Sequence, residues 1–172
     1  NDIKATGIEP SIHAYNYSLN NCSQYIENKS LDEYADEINK TFHLITSWDV
    51  IEHVDNVDTY LKNINKLLKN NGLFIFSTIF IDSKFAKILG KYWPWIIPMH
   101  LSYFNQNTIQ AYLKDHKFVK IGEFKHIHYA RISYALRGLS NKMPSSIKKM
   151  ISFFELLLPT NLIAPFSFGD VK

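Results

Sequence analysis

The 172-residue chain is short of the residues that announce several common chemistries. A single cysteine, Cys22, excludes an internal disulfide and a multi-cysteine metal site, which fits a reducing, cytoplasmic setting. Cys22 itself reads as a small buried residue. The glycines are Gly7, Gly72, Gly90, Gly122, Gly138 and Gly169, too scattered to form a phosphate-cradling loop of either familiar spacing. Arg131 and Arg137 are the only arginines, so the net charge of +3 is almost all lysine. Lysine lacks the guanidinium fork that suits duplex grooves and phosphate clamps, and nucleic acid is not an expected partner. The longest apolar runs, 73–81 and 151–158, fall short of the roughly 18–20 residues that span a bilayer, so no transmembrane helix is expected. The first residues do not place an apolar stretch behind a basic one, and no signal peptide is read there.

What is present suits one soluble globular domain over 1–172, with 46% hydrophobic and 20% charged residues and no Pro/Gly/Ser linker or repeat. Residues 3–9 read as a strand that Pro10 stops, leaving Glu9 at its carboxyl end. Ser11 caps a short helix to residue 19, and a weak strand at 24–27 precedes Ser30-Leu31-Asp32-Glu33, a helix N-terminus. Residues 42–48 form a buried strand with β-branched content. Val57, Leu61, Ile64, Leu67 and Leu68 then recur at helical spacing, Asn70-Asn71-Gly72 stops the helix in left-handed conformation, and 73–81 is again a strand. Strand, amphipathic helix and strand make a βαβ unit, so the fold class is α/β with a mostly parallel, doubly wound sheet and helices on both faces. A helix at 107–117 and a strand at 118–129 continue the alternation. Helices at 131–139 and 145–158 form a carboxyl-terminal helical appendage, the second with Ile147, Met150, Ile151 and Phe154 on an apolar face.

Open parallel sheets bind ligands beyond the carboxyl ends of their strands. Three segments qualify: Glu9, Trp48-Asp49, and 82–104. At a strand end Glu9 can hold the two hydroxyls of a ribose, or it can simply cap the helix beginning near Ser11.

The segment Thr46-Ser47-Trp48-Asp49-Val50-Ile51-Glu52-His53-Val54 resembles the strand-four motif of class I S-adenosylmethionine-dependent methyltransferases, in the small-molecule branch of ubiquinone, sugar and natural-product enzymes. Three further segments resemble that family in the same order: Thr6-Gly7-Ile8-Glu9-Pro10-Ser11, 67–75, and Pro98-Met99-His100-Leu101-Ser102-Tyr103-Phe104. The resemblance implies a Rossmann-like fold, S-adenosyl-L-methionine as cofactor, and methyl transfer to a small-molecule acceptor by SN2-type displacement. It implies Glu9 on the ribose, Leu31 and Asp32 near the adenine, and Trp48 and Asp49 at the methionine end, where a carboxylate and an aromatic face suit a sulfonium cation. His100 is the candidate base for an acceptor that must lose a proton, with Asp49 the second candidate catalytic residue; the alternative for His100 is to pin its loop.

Trp93 and Tyr103 are candidate acceptor-binding residues in a lid over 82–104, and 130–165 is a further substrate-side appendage; packing beneath the terminal helices is the alternative for Trp93. No metal is expected, with Asp49, Glu52 and His53 as the alternative set, because Asp-x-x-Glu-His on a helical turn offers hard ligands on one face. Lys148 and Lys149 beside an apolar helix face suit peripheral membrane contact, although burial on the core is the commoner use of such a helix. The resemblance also places a first strand and a glycine-rich loop upstream of Glu9, and a last strand beyond residue 172. The expectation is therefore a truncated domain that binds cofactor weakly on its own. A catalytically silent methyltransferase-like binding domain and a nucleotide-dependent oxidoreductase are the rival classes. The acceptor, the O-, N- or C-specificity and the oligomeric state are not written in the residues.

Overall fold

The structure is a computed structural model that describes residues 4–21, 25–124, 128–140, 143–157, 159, 162–166 and 170–171. Cys22 and the start of the strand expected at 24–27 lie outside the described residues. The chain divides into two compact units, one of residues 1–45 and 56–74 and the other of 46–55 and 75–172.

In the first unit, β1 (Gly7–Ile8), α1 (Ile12–Asn21) and β2 (Ile26–Glu27) form a βαβ unit whose strands pair in parallel, Gly7 opposite Ile26 and Ile8 opposite Glu27. Helix α2 (Leu31–Glu37) starts on a capping box: Ser30 accepts from the Glu33 amide while the Glu33 carboxylate accepts from the Ser30 amide. The Ser30 amide and the Ser30 hydroxyl both donate to the Glu33 carboxylate, at 2.8 Å each, and hold it below the ordinary glutamate range. Helix α3 (Val57–Leu67), capped by Asn56, turns Val57, Tyr60, Leu61, Ile64 and Leu67 inward, the stripe that three- and four-residue spacing dictates. Tyr34, Ala35 and Leu67 form a buried cluster flanked by Ile8, Leu31, Ile38, Phe42 and Ile45.

Strands β3 (Phe42–Ser47) and β4 (Leu68–Phe76) pair with one another. The Phe42 carbonyl lies against Gly72, and the Ser77 amide donates to the Ser47 carbonyl. The same 30-residue offset at both ends means that the strands run parallel. This is the α/β arrangement expected from the strand–helix–strand pattern, with α3 as the crossover. Here Asn71, at φ 62°, takes the left-handed conformation rather than Gly72. Gly72 is needed for space: a Cβ there would stand 2.8 Å from the Lys69 carbonyl oxygen and 3.1 Å from that of Phe42.

In the second unit, β5 (Thr78–Ile79) pairs antiparallel with β8 (Asp170–Val171). Helix α4 (Lys84–Leu89) leads through a 3₁₀ turn (Gly90–Tyr92) to a loop, and a parallel bridge joins Phe80 to Phe104. Helix α5 (Gln106–Asp115) ends in a left-handed Lys117, with the Phe118 amide bonded back to the Leu113 carbonyl. β6 (His128–Arg131) and β7 (Ile163–Phe166) are antiparallel, with α6 (Ile132–Ser140) and α7 (Ser145–Leu157) between them. Of the strand expected across 118–129, the described residues 128–129 fall in β6 and 118–124 carry no strand, with Val119 and Ile121 84% and 80% exposed; residues 125–127 lie outside the described residues. On α7, Ile147, Met150 and Phe153 are exposed.

Candidate functional site

The expected site residues divide between the units. Glu9, Leu31 and Asp32 belong to the first; Trp48, Asp49, Glu52, His53, Trp93, His100 and Tyr103 belong to the second.

Glu9 follows β1, with its amide on the Glu27 carbonyl and its own carbonyl accepting from Asn28 Nδ2 at 2.7 Å. Its carboxylate Oε1 accepts from the Ser11 amide at 2.8 Å, so it does serve the turn into α1. Leu31 packs beside the buried cluster of α2 and α3, while Asp32 is exposed and accepts from Asn63 Nδ2 at 2.6 Å.

In the second unit the backbone bends at Trp48 and Asp49, and Asp49 adopts φ 52°, a left-handed conformation that costs a residue with a Cβ of order 1–2 kcal/mol. Ser77 holds it there. The Ser77 hydroxyl accepts from the Asp49 amide at 2.8 Å and donates to Asp49 Oδ1 at 2.5 Å, while the Ser77 amide donates to the Ser47 carbonyl. Trp48 beside it is 49% exposed. The chain then makes a turn, with the His53 amide on the Val50 carbonyl, and not the helical face expected for Asp-x-x-Glu-His. Asp49, with its left-handed backbone and its Oδ1 on the Ser77 hydroxyl, is not among the residues whose ligand atoms cluster with those of Glu52 and His53, although its charge still acts on Glu52.

Glu52 and His53 meet His100 instead. One ligand-type atom from each lies within 4.8 Å of the others, and the two imidazole rings stand edge to face with centroids 4.7 Å apart. Glu52 is 1% exposed; burial raises its carboxyl above the usual range, with Asp49 adding to the effect and His53 and the Thr78 hydroxyl opposing it. Its backbone carbonyl accepts from the amides of Leu101 and Ser102, tying the 50–53 turn to the segment after His100. His100 is buried, and its Nδ1–H donates to the Trp95 carbonyl at 2.7 Å. His53 Nδ1–H donates to the Met99 carbonyl at 2.8 Å. A carbonyl can only accept, so both rings in neutral form carry their lone pair on Nε2. His100 thus pins its loop through Nδ1. Glu52 and His53 are neighbours in the sequence, whereas His100 lies far along the chain and meets them only through the fold; the signal available is that both segments follow strands.

Trp93 is 0% exposed, packed with Ile79 and Ala86. The lid surface expected at Trp93 is instead core of this unit, since so large an apolar ring is most stable out of water. Tyr103 borders the same cluster, and its hydroxyl bridges the Ile97 amide and the Trp95 and Ile97 carbonyls at 3.3–3.4 Å, holding the 93–100 loop.

Strand-end acids, a βαβ crossover and a histidine loop recur in many α/β proteins, so family membership rests on sequence comparison. A family profile described as "Methyltransferase domain" matches residues 2–121. The chain belongs to the methyltransferase domain family. The match includes Glu9, Asp49, Glu52, His53 and His100, and stops before α6 and α7. Among solved structures, a SAM-dependent methyltransferase from Thermotoga maritima superposes with a TM-score of 0.59 at 11% identity, over 96% of this chain and 70% of that one. A SAM-dependent methyltransferase from Archaeoglobus fulgidus gives 0.58 at 16% identity, over 98% and 74%. At such identities the likeness shows a shared fold, here the Rossmann-like methyltransferase fold. No curated protein matches the chain in sequence. Among the described residues of this methyltransferase-family chain, no helix is long and apolar enough to cross a membrane.

Proposed function

We propose that this chain binds S-adenosyl-L-methionine and directs its methyl group to a small-molecule acceptor. The observation that carries the reading is the family match, which runs through the strand-end segments bearing Glu9 and Asp49. The residues suit the cofactor chemically. Glu9 is a carboxylate at the carboxyl end of a parallel strand, and Trp48 offers a half-exposed aromatic face next to the Asp49 carboxylate, a pairing favourable to a cation. Glu9 would hold the ribose hydroxyls, Leu31 and Asp32 would serve the adenine, and Trp48 and Asp49 the methionine end.

When bound, the cofactor supplies a methyl group already activated by the sulfonium, so the protein has to align rather than attack. Ser77 fixes the Asp49 carboxylate, and Tyr103 holds the loop that carries His100. Removal of an acceptor proton is assigned to the cluster that contains His100, whose ring is oriented by its Nδ1 bond to the Trp95 carbonyl. Segments 82–104 and 130–165 are assigned to the acceptor side.

Calorimetric titration with S-adenosylhomocysteine tests the reading. Saturable one-to-one binding is expected, and Glu9→Ala should weaken it by about tenfold, the equivalent of one charge-assisted hydrogen bond. Absence of saturable binding, or equal affinity in the variant, would overturn it.

A further inference from the structure

We propose that Glu52, His53 and His100 form a site for one borderline divalent cation of the zinc type, a ligand set distinct from Asp49, Glu52 and His53. The proposal stands on the second unit alone and does not depend on methyl transfer.

The first support is proximity with the right chemistry. One carboxylate and two imidazoles present ligand atoms within 4.8 Å of one another. Tetrahedral ligands about 2.0–2.1 Å from zinc stand roughly 3.4 Å apart, so closure moves any pair by at most about 1.4 Å. Two imidazoles and a single carboxylate favour zinc, cobalt or iron over magnesium or calcium, which seek oxygen-rich shells.

The second, independent support lies behind the ligands. Metal-bound histidines donate their other ring N–H to a carbonyl or carboxylate, which fixes tautomer and orientation. Both histidines here do so: His53 Nδ1 on the Met99 carbonyl at 2.8 Å and His100 Nδ1 on the Trp95 carbonyl at 2.7 Å. Each neutral ring therefore offers Nε2 as its ligating nitrogen. The two accepting carbonyls belong to one loop, and that loop is continuous with the Leu101 and Ser102 amides that bind the Glu52 carbonyl, so the three ligands are held by a single local network.

The third support is charge. Buried carboxylates are paired or coordinate metals. Glu52 is 1% exposed, and among the described residues no lysine or arginine is ion-paired to it; the Thr78 hydroxyl, 3.2 Å away, is a neutral partner. A dication would compensate that carboxylate. Asp49 is not part of the group whose ligand atoms gather within 4.8 Å, and its Oδ1 accepts from Ser77.

Three protein ligands leave a coordination position open, as in catalytic rather than structural zinc sites. On the methyl-transfer reading, an acceptor hydroxyl bound there would be acidified by the cation, and His100 would act as a ligand instead of as the base.

The test uses the 172-residue chain, stripped with a chelator and titrated with Co²⁺ while its visible d–d absorption is recorded. One Co²⁺ per chain is expected, displaced by Zn²⁺ and not by Mg²⁺ at equal concentration. His53→Ala and His100→Ala should each weaken Co²⁺ binding by roughly 10- to 100-fold or more, the scale on which even outer-shell partners act. Asp49→Asn should change cobalt affinity far less than either histidine substitution, since it alters only the field at Glu52. His53→Gln, at the half-exposed ligand, keeps the test available if His100→Ala does not fold. No saturable cobalt spectrum, or equal losses from Asp49→Asn and His53→Gln, would overturn the site. Cobalt binding is read without cofactor present, so a failure to bind S-adenosylhomocysteine would leave this result standing, and the reverse.

Discussion

Replacing Ser77 by Ala removes one oxygen that serves Asp49 twice. The hydroxyl accepts the Asp49 amide at 2.8 Å and donates to its carboxylate at 2.5 Å, in a position only 1% exposed. A neutral hydrogen bond is worth about 0.5–1.5 kcal/mol net, and one to a charged group about 1.5–3 kcal/mol. Asp49 itself is exposed, so water can replace the lost donor on its carboxylate, which brings the second contribution down to about 1 kcal/mol. The expected destabilisation is therefore about 2 kcal/mol. It should appear in urea unfolding as a lower midpoint with unchanged slope. A double-mutant cycle adds a sharper criterion: once Asp49→Asn has removed the charged acceptor, Ser77→Ala should cost distinctly less than in the parent chain. S-adenosylhomocysteine affinity should fall in Ser77→Ala as well, because the left-handed conformation of Asp49 loses its support. A loss below about 0.5 kcal/mol, the range of ordinary surface substitutions, together with strict additivity would refute the clamp.

Three other perturbations test the fold that carries the site. Leu61→Ala, at a fully buried position of α3, should cost about 2–5 kcal/mol in the same urea experiment. Gly72→Ala should cost about 1–3 kcal/mol, since its Cβ would meet two backbone oxygens, which cannot rotate away as a side chain can. Acid titration of stability followed by circular dichroism should show the α2 capping box: the Glu33 carboxyl is held low in the folded chain, so its contribution is present above the ordinary glutamate range and is lost as pH falls through the lowered value. Glu33→Gln should flatten that acid limb; an unchanged limb would remove Glu33 from the cause.

Local pattern carried α3, because its apolar residues repeat at helical spacing, and it carried the helix start at Ser30, where serine and acidic residues meet. It carried Glu9 and Asp49 to strand ends for the same reason: Pro10 and a charged residue interrupt apolar runs. It did not carry pairing at long range. The 118–129 run has strand-like residues, yet among its described residues 128–129 pair, within β6, while 118–124 do not, and Val119 and Ile121 stay exposed. Nor does composition distinguish a tryptophan that covers a site from one that fills a core, as at Trp93. The left-handed Asp49 had no glycine or asparagine to announce it, and the group that holds it is a serine 28 residues away. His100 joins that face only through the fold of its loop.

Recognition of S-adenosylmethionine underlies every role given to Glu9, Trp48 and Asp49. Equilibrium dialysis of the 172-residue chain against labelled S-adenosylmethionine, with NAD⁺ as competitor, tests it most directly. Saturable retention of one S-adenosylmethionine per chain, weak but undisturbed by NAD⁺ and reduced in Glu9→Ala, is the expected result. No retention, or displacement by NAD⁺ at equal concentration, would contradict it.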